Sequence, residues 1–275
     1  MQLLDEVRLN CRAIAQSARF VSIDLDAAHE PPAAASVAEP GGADSVLQLD
    51  AINFGSGWFP TLRKRPGMSG YRSVAAAFAE HGPWANRELR ALDAGAVAAV
   101  LGQDARHPLM RLYAQALRDL GRFLGERSAL DLVDQSGGSA ERLATTLARG
   151  MRFFDDRGFY KRAQIVPSDL ALAGVARFDD LDRLTIFADN LVPHVLRVDG
   201  VLRYDARLAA RIDAGELLPQ GRAEREIRAC AVHACEALAE RVGVPPHVLD
   251  VRLWNRGQAP EYKAVPRHRT RTVYY

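Results

Sequence analysis

The sequence predicts an all-α fold, a mainly helical single domain that spans residues 1–275. Apolar residues recur at three- and four-residue spacing along much of the chain, which is the period of one face of an α-helix. Strand-like segments are few and short, so any sheet would be a minor element. With 275 residues, of which 48% are hydrophobic and 25% charged, the chain has the length and composition for a substantial core.

Five helices follow from this periodicity in chain order. Ser139 is a suitable N-cap for the helix that carries Leu143 and Leu147, and Gly150 closes that helix. Gly243 is placed to end the helix that carries Ile227 and Leu238. Pro245 and Pro246 open the helix that carries Leu249 and Leu253. The apolar stripes that define the five helices are Leu3-Val7-Cys11-Ile14, Leu109 to Leu124, Leu143 and Leu147, Ile227-Ala231-Ala234-Leu238, and Val248-Leu249-Leu253.

The remaining segments predict shorter elements. The runs 21–23 and 46–49 are apolar and short, which is typical of a minor strand or a loop. Residues 29–42 are rich in Pro, Ala and Gly and predict a loop rather than an interdomain linker. Asp179-Asp180-Leu181 predicts the start of a helix, and no repeat occurs at solenoid spacing.

Charge and cysteine content narrow the function classes. The 36 Lys and Arg residues nearly balance 34 Asp and Glu residues, which disfavours a protein that coats nucleic acid but leaves a pocket for one small anion open. Three cysteines do not make a disulfide framework. The acidic N-terminal stretch resembles no targeting signal, and no apolar run is long enough for a membrane span. We therefore expect a cytoplasmic protein without a membrane partner.

Charged residues beside apolar ones are the candidates for chemistry. Asp189 follows the apolar stretch 184–188, where an unpaired acid is costly unless it has a function. The commoner alternative is a carboxylate that caps the turn before Pro193. Lys161 and Arg162 follow Tyr160, and either can bind a phosphate or orient a carboxylate. Their alternative is an ordinary solvated helix face.

Other candidates lie near aromatic residues. Phe187 is typical of core packing. Asp250 and Trp254 share one face of the fifth predicted helix, where a carboxylate next to an indole suits the donor edge of a guanine-like base. Asn53 precedes two glycines that allow close approach of the backbone, although a plain turn is an equal alternative. Cys230, His233 and Cys235 do not share one helix face, so we predict no metal site.

Several of these segments together resemble the queuosine salvage family. They are Tyr160-Lys161-Arg162-Ala163-Gln164-Ile165, Phe187-Ala188-Asp189, Leu253-Trp254, and the basic tail that ends in Val273-Tyr274-Tyr275. The resemblance extends from about Asp50 to the C-terminus. It implies a fold similar to helix-hairpin-helix DNA glycosylases and hydrolysis of queuosine 5′-monophosphate to release queuine, a base for salvage into tRNA. It implies a small-molecule substrate, no cofactor and no stable nucleic-acid complex.

The resemblance also implies roles for individual residues. Asp189 stands where the family has its catalytic carboxylate, with Lys161 as a second catalytic residue. The residues implied to contact the base are Phe187, Asp250, Asn53, Trp254, Val251, Asn255 and His29. The family has a tyrosine after its aspartate and an acid after its tryptophan, where this chain has Val251 and Asn255. The residues implied to bind phosphate are Arg162, Arg267 and Arg269.

Two other functions remain open from the sequence. A DNA-repair glycosylase of the helix-hairpin-helix type also pairs Lys and Asp around a flipped base. The near-neutral charge and the lack of an obvious glycine-rich hairpin speak against it. A non-catalytic helical binding module is the second alternative, and it would tolerate replacement of Asp189 by Asn.

Overall fold

The computed structural model describes residues 2–29 and 41–275. Within these residues the chain forms helices and one small sheet, which confirms the mainly helical prediction. The helices are α1 Leu3–Gln16, α2 Ala43–Ala51, α3 Gly70–His81, α4 Asn86–Ala91, α5 Ala94–Leu101, α6 Pro108–Leu124, α7 Ala129–Gln135, α8 Ala140–Gly150, α9 Lys161–Leu172, α10 Val192–Val198, α11 Ala206–Asp213, α12 Arg222–Val242, α13 Pro246–Arg256 and α14 Pro260–Ala264. The strands are β1 Val21–Ile23 and β2 Leu202–Tyr204.

The predicted helix boundaries are confirmed by their caps. The Ser139 hydroxyl oxygen accepts a bond of 3.1 Å from the Arg142 N–H and starts α8. Gly243 ends α12 in the left-handed conformation, with φ 72° and ψ 35°. Pro246 is the first residue of α13. The segment Asp179-Asp180-Leu181 leads only into a short 3₁₀ turn, Leu181–Arg183, because the Asp180 carboxylate accepts bonds from the start of α8 instead.

One strand prediction is confirmed and one is wrong. Residues 21–23 form β1, which pairs antiparallel with β2 so that Val21 lies opposite Tyr204. Residues 46–49 lie in α2 instead. Every residue from Val46 to Ala51 is buried, so this helix has no exposed face and its sequence lacks the amphipathic period. Of the predicted loop at 29–42, residues 30–40 lie outside the described residues.

The helices pack around one hydrophobic core whose residues run from Leu3 to Tyr262. Helix α1 packs on α12, α2 packs on α9 and α6, and α8 packs on α9. This continuous core supports the prediction of a single domain, which stays a prediction. The three cysteine thiols are buried in α1 and α12. Among the described helices, none is both long enough and apolar enough to cross a membrane.

Candidate functional site

The first turn of α9 positions Lys161. Tyr160, directly before it, has φ 49° and is the one non-glycine residue with positive φ among the described residues. Such a conformation is costly for a bulky residue, and it often occurs at functional sites. The Tyr160 hydroxyl group donates a bond of 2.9 Å to the Glu6 carboxylate of α1. This contact anchors the turn that points the chain into α9.

Lys161 is a buried cation, with 4% of its surface exposed. Burial lowers its pKa, while the negative charges of Asp189 and Asp50 act in the opposite direction. The solvated helix face that was the alternative for Lys161 does not apply, because the side chain lies inside the protein among acidic groups.

The loop from Thr185 to Asn190 is held on both sides. The Gln164 Oε1 atom of α9 accepts bonds from the Thr185 N–H at 3.0 Å and from its hydroxyl group at 3.1 Å. From α12, the Arg228 Nε atom donates a bond of 2.8 Å to the Ala188 carbonyl oxygen. These bonds fix the backbone on either side of Phe187, whose ring is buried.

Asp189 caps the turn that leads into α10, and it also interacts electrostatically with Lys161 and Asp250. Its Oδ1 atom accepts bonds from the N–H groups of Leu191, at 2.7 Å, and Val192, at 3.1 Å. The capping interpretation is therefore correct in geometry. It does not exclude a chemical role, because both bonds fall on Oδ1 and the half-buried carboxylate still has Oδ2 for another partner.

Asp250 joins α13 to this loop. Its Oδ1 atom accepts a bond of 2.8 Å from the Phe187 N–H. Burial raises the pKa of Asp250 well above its usual range, and the charge of Asp189 adds to the effect. The Phe187 bond and Lys161 oppose it. Asp250, Asp189 and Lys161 therefore influence one another electrostatically.

The C-terminal turn of α2 adds a carboxyl group that the sequence interpretation missed. Asp50 is 2% exposed, and its Oδ1 atom accepts a bond of 3.4 Å from the Asn53 side-chain amide. Burial raises its pKa to about 7, against the charges of Lys161 and Arg162. An acid within an apolar run was the signal that singled out Asp189, and the run 46–52 carries the same signal. It was overlooked because this run was interpreted as a strand or loop.

Arg162 is an interior structural residue. Its Nη1 atom donates to the Ala51 carbonyl at 2.6 Å, and Nη2 donates to the Phe153 carbonyl. The guanidinium carbon also lies 4.7 Å from the ring centres of both Phe54 and Phe154. With 1% of its surface exposed and its donors directed to main-chain carbonyl groups, Arg162 is poorly placed to bind a phosphate.

The C-terminal segment brings Arg267 to the loop. The Asn190 side-chain amide donates a bond of 3.4 Å to the His268 carbonyl oxygen. Burial lowers the pKa of Arg267, and the charge of Asp189 acts against this shift. Arg269 turns away and donates a bond of 2.6 Å to the Gly215 carbonyl oxygen. Of the three arginines considered for phosphate, Arg267 is the one that faces Asp189.

A buried ion pair behind the loop was also missed. The Arg228 guanidinium is bonded to the Asp156 carboxylate, with one contact of 3.1 Å, and Glu224 lies 3.5 Å away on the same helix. Burial alone would lower the pKa of Arg228. The negative charges of Asp156 and Glu224 together have the larger effect and raise this pKa. This pair is the support from which Arg228 reaches the Ala188 carbonyl group.

The remaining candidates lie around α13. Trp254 packs half-buried against the core one turn after Asp250, and Val251 and Asn255 are half-buried on adjoining positions. His29 is exposed and lines a recess with Arg241 of α12 and Leu249 of α13. Among the described residues, no recorded contact joins His29 to Asp250 or Lys161.

Sequence comparisons show which known proteins this chain resembles. The family described as queuosine salvage protein matches residues 38–275. A protein from Sphaerobacter thermophilus named queuosine 5′-phosphate N-glycosylase/hydrolase is 36% identical, and the match covers 85% of this chain and 81% of that protein. Proteins of the same name from Mus musculus and Bos taurus are each 32% identical. Their matches cover 61% and 62% of this chain and 59% and 60% of those proteins.

The family match includes Asp50, Lys161, Asp189, Asp250 and Arg267. The Sphaerobacter relative extends the similarity over most of both chains. The chain therefore belongs to the queuosine salvage protein family.

Proposed function

We propose that this protein hydrolyses the N-glycosidic bond between queuine and ribose in queuosine 5′-monophosphate. The observation that carries the proposal is the meeting of Asp189, Lys161 and Asp250 beside the buried ring of Phe187. The curated relatives carry the name of this activity. Water and the nucleotide give queuine and ribose 5-phosphate, so the reaction needs no cofactor. The proposed setting is the cytoplasm.

Asp189 is the proposed catalytic carboxylate. Breaking a glycosidic bond gives the ribose ring oxocarbenium character, which a nearby negative charge stabilises. The two N–H bonds from α10 hold Oδ1 in place. Oδ2 can then face the sugar or position the attacking water. Lys161 of α9, whose pKa the charge of Asp189 raises, is the proposed cationic partner of this carboxylate.

Asp250 and Phe187 are the proposed contacts to the base. Queuine is a 7-deazapurine and lacks the N7 atom that purine hydrolases commonly protonate. Help for the leaving group must then reach the pyrimidine edge, whose ring N–H and exocyclic amine suit a carboxylate acceptor. Asp250 offers this group, and the Phe187 ring offers a stacking face worth roughly 1–3 kcal/mol. Trp254, Val251, Asn255 and Asn53 remain proposed contacts at the edge of the base site.

Arg267 is the proposed phosphate ligand. It lies in the C-terminal segment that packs on the loop and acts electrostatically on Asp189. A phosphate bound there would supply binding energy remote from the broken bond, which an enzyme can use at the reacting centre. Arg162 and Arg269 are less suited, because main-chain carbonyl groups occupy their donors.

The test is incubation with queuosine 5′-monophosphate, queuosine and DNA that contains a damaged base, followed by mass spectrometry for released base. We expect queuine from the nucleotide and no base from the DNA. Base release from the DNA alone would favour a repair glycosylase. Binding of the nucleotide without release, in a protein that melts cooperatively, would favour a non-catalytic binding module.

A further inference from the structure

Resting on the proposed function, we infer that Asp156 is a positioning residue that fixes Lys161 and Asp189 relative to each other. Asp156 lies five residues before Lys161, and it acts through Arg228 of α12 on the loop that carries Asp189. Neither Asp156 nor Arg228 stands in a motif that the sequence singled out. The two residues form a bridge between the two proposed catalytic groups, the Asp156–Arg228 bridge.

The main chain of Asp156 shapes the turn that leads to Lys161. Its carbonyl oxygen accepts bonds from the N–H groups of Phe159, at 2.9 Å, and Tyr160, at 2.7 Å. These bonds close the turn directly before α9 and hold Tyr160 in its left-handed conformation, with φ 49°. A non-glycine residue keeps such a conformation only when its surroundings determine it. Asp156 therefore fixes the place and the direction in which α9 begins with Lys161.

The side chain of Asp156 faces both elements. Its Oδ2 atom lies 3.5 Å from the Lys161 main-chain nitrogen, whose N–H donates towards it. Its Oδ1 atom accepts a bond of 3.1 Å from the Arg228 Nη1 atom, and Oδ2 accepts a second bond from Nη2. Asp156 is 3% exposed and Arg228 is 2% exposed. Two parallel bonds between a carboxylate and a guanidinium group fix the orientation of both planes, which one point charge beside another would not do.

Arg228 transmits this orientation to Asp189. Its Nε atom donates a bond of 2.8 Å to the Ala188 carbonyl oxygen. That oxygen belongs to the same planar peptide group as the Asp189 N–H, so the bond holds the main chain directly before the Asp189 side chain. The neighbouring Phe187 N–H is held separately, by Asp250. The bridge thus acts on the proposed catalytic carboxylate more directly than on the proposed contact to the base.

Two buried rings hold the guanidinium group of Arg228 in place. Its central carbon lies 4.0 Å from the ring centre of Phe159 and 4.6 Å from the ring centre of Tyr275. Phe159 belongs to the turn before α9, and Tyr275 belongs to the C-terminal segment. These contacts leave the guanidinium group little freedom to rotate, so the geometry of the bridge is set before a substrate binds.

Asp156 affects the reaction through Lys161 and Arg228. Its 3% exposure keeps its own carboxylate from a bound nucleotide. The oxocarbenium character develops at one place on the ribose ring, and Asp189 must face that place with Lys161 beside it. A displacement of about 1 Å at a reacting centre can lower the rate about a hundredfold. A bridge that fixes both groups is therefore worth a large part of the rate.

The first experiment observes both ends of the bridge in the ligand-free protein. Backbone ¹H–¹⁵N NMR spectra are recorded for the wild type and Asp156→Asn. Asparagine has one acceptor oxygen and no charge, so it cannot accept from both the Lys161 N–H and Arg228 as the carboxylate does. We expect the amide signals of Lys161 and Asp189 to shift, the latter because its peptide group loses its ordered bond from Arg228. An Asp189 signal that stays in place would overturn the bridge.

Glu226→Gln is the matched control. Glu226 is a carboxylate of α12 with 1% exposure. It accepts bonds of 2.8 and 2.7 Å from two main-chain N–H groups directly before β1, and a bond of 2.7 Å from Arg222. It is thus as buried as Asp156 and also paired with an arginine, but its main-chain partners lie outside the candidate site. We expect this change to lower the melting temperature and to leave the Asp189 signal and kcat of the folded protein unchanged.

Kinetics separate positioning from simple structural support. We expect kcat for queuosine 5′-monophosphate to fall by roughly 10–100-fold in Asp156→Asn. KM should change far less, because Asp250 holds the loop at the proposed base contact without help from the bridge. A loss of stability with an unchanged kcat in the folded fraction, the pattern expected of Glu226→Gln, would contradict the inference.

Arg228→Lys is the second variant, and it carries the test if Asp156→Asn does not fold. Lysine keeps a cation beside Asp156, so the buried carboxylate is not left unpaired. Its ammonium group cannot hold both carboxylate oxygens and reach the Ala188 carbonyl oxygen as the guanidinium fork does. We expect a shifted Asp189 signal and a lower kcat, and a wild-type kcat in this variant would overturn the bridge. The NMR spectra need no turnover, so a protein that releases no queuine would defeat the proposed function and leave the bridge testable.

Discussion

Asp189 and Asp250 are two neighbouring aspartates with different surroundings. Asp189 is half-buried and accepts two N–H bonds at the start of α10. Asp250 is buried in α13 and accepts one N–H bond, and burial raises its pKa. Environments that separate two acids in this way are typical of sites that divide roles between them. The proposed roles differ accordingly, with Asp189 at the reacting sugar and Asp250 at the edge of the base.

We expect Asp189→Asn to abolish nearly all base release and leave the fold intact. Asparagine caps a helix about as well as aspartate, so α10 should keep its N-terminus. It has no charge to oppose the oxocarbenium ion. The measurements are kcat on queuosine 5′-monophosphate and the thermal melting of the variant. A variant that melts normally and retains most of the wild-type kcat would contradict the assignment.

We expect queuine to bind more tightly as pH rises, over the range in which Asp250 loses its proton. Burial raises the pKa of Asp250 well above its usual range, so this carboxyl group keeps a proton to higher pH than an ordinary aspartate does. It must lose that proton to accept the donor edge of the base, so binding releases a proton and is favoured by higher pH until Asp250 is ionised in the free protein. Calorimetric titration in two buffers of different ionisation heat measures the release.

Asp250→Asn is the matched variant for this test. It should weaken queuine binding by about 1–3 kcal/mol, since an amide donor would meet a ligand donor. Its affinity should no longer depend on pH through this group, and affinity for ribose 5-phosphate should barely change. Unchanged queuine affinity would mean that Asp250 only ties α13 to the loop.

Lys161 and Arg267 should respond differently to the substrate phosphate. We expect Lys161→Ala to lower base release equally from queuosine 5′-monophosphate and queuosine, because its charge acts on Asp189. Arg267→Ala should lower kcat/KM on the monophosphate more than on the nucleoside. The comparison is made with both substrates for each variant. A selective loss in Lys161→Ala would move the phosphate contact to Lys161.

At the scale of elements, three helices hold the short loop that carries Phe187 and Asp189. Gln164 of α9 binds Thr185, Arg228 of α12 binds the Ala188 carbonyl, and Asp250 of α13 binds the Phe187 N–H. The loop itself contains no helix or strand. The loop therefore depends on polar side chains from its neighbours for its conformation.

We expect Arg228→Met to destabilise the protein by about 3–5 kcal/mol, because it leaves the buried Asp156 carboxylate without its partner. The Ala188 carbonyl would lose its donor as well, so base release should fall in the folded fraction. Urea unfolding gives the free energy of unfolding. Arg225→Met on the same helix is the control. Arg225 lies 5.1 Å from the Phe159 ring centre, and its loss should cost less than about 1 kcal/mol.

Amphipathic helices were predictable from the sequence, while buried ones were not. Helices α1, α6 and α12 show their period because one face meets water. Helix α2 is buried on every side, so its sequence shows no amphipathic period. Asp50 at its end was therefore not predicted as a site residue. Asp189 and Lys161 were found through motifs. The Asp156–Arg228 pair was not, because it joins residues distant in sequence and neither residue lies in a motif.

At the scale of the whole molecule, the C-terminal segment packs against the turn that follows α2. The Gly55 N–H donates a bond of 2.8 Å to the Tyr275 carbonyl oxygen. A Cβ atom at Gly57 would lie 2.5 Å from the Thr270 carbonyl oxygen. The basic tail is packed against the protein, and burial lowers the pKa of its buried His268 to about 3, so this histidine adds no charge.

We therefore expect Gly57→Ala to displace residues 267–275 and lower both stability and base release. The clash is with backbone, so the segment must move, at a cost of roughly 1–3 kcal/mol. Arg267 would move with it, and KM for the monophosphate should rise. Gly42→Ala is the control, since no atom of the described residues lies within 4 Å of its added Cβ atom. Equal melting temperatures for both variants would argue against the tight packing.

The pairing of Val21 with Tyr204 has a consequence for how the molecule folds. Contacts between residues so distant in sequence require closure of a long loop, whose entropy is lost before the contact is gained. A chain rich in local helices can form them early, but this closure and the convergence of Asp50, Asp189 and Asp250 come only with long-range docking. Secondary structure should thus return before enzymatic competence when the denatured chain refolds, and an isolated half of the chain would be helical yet inert.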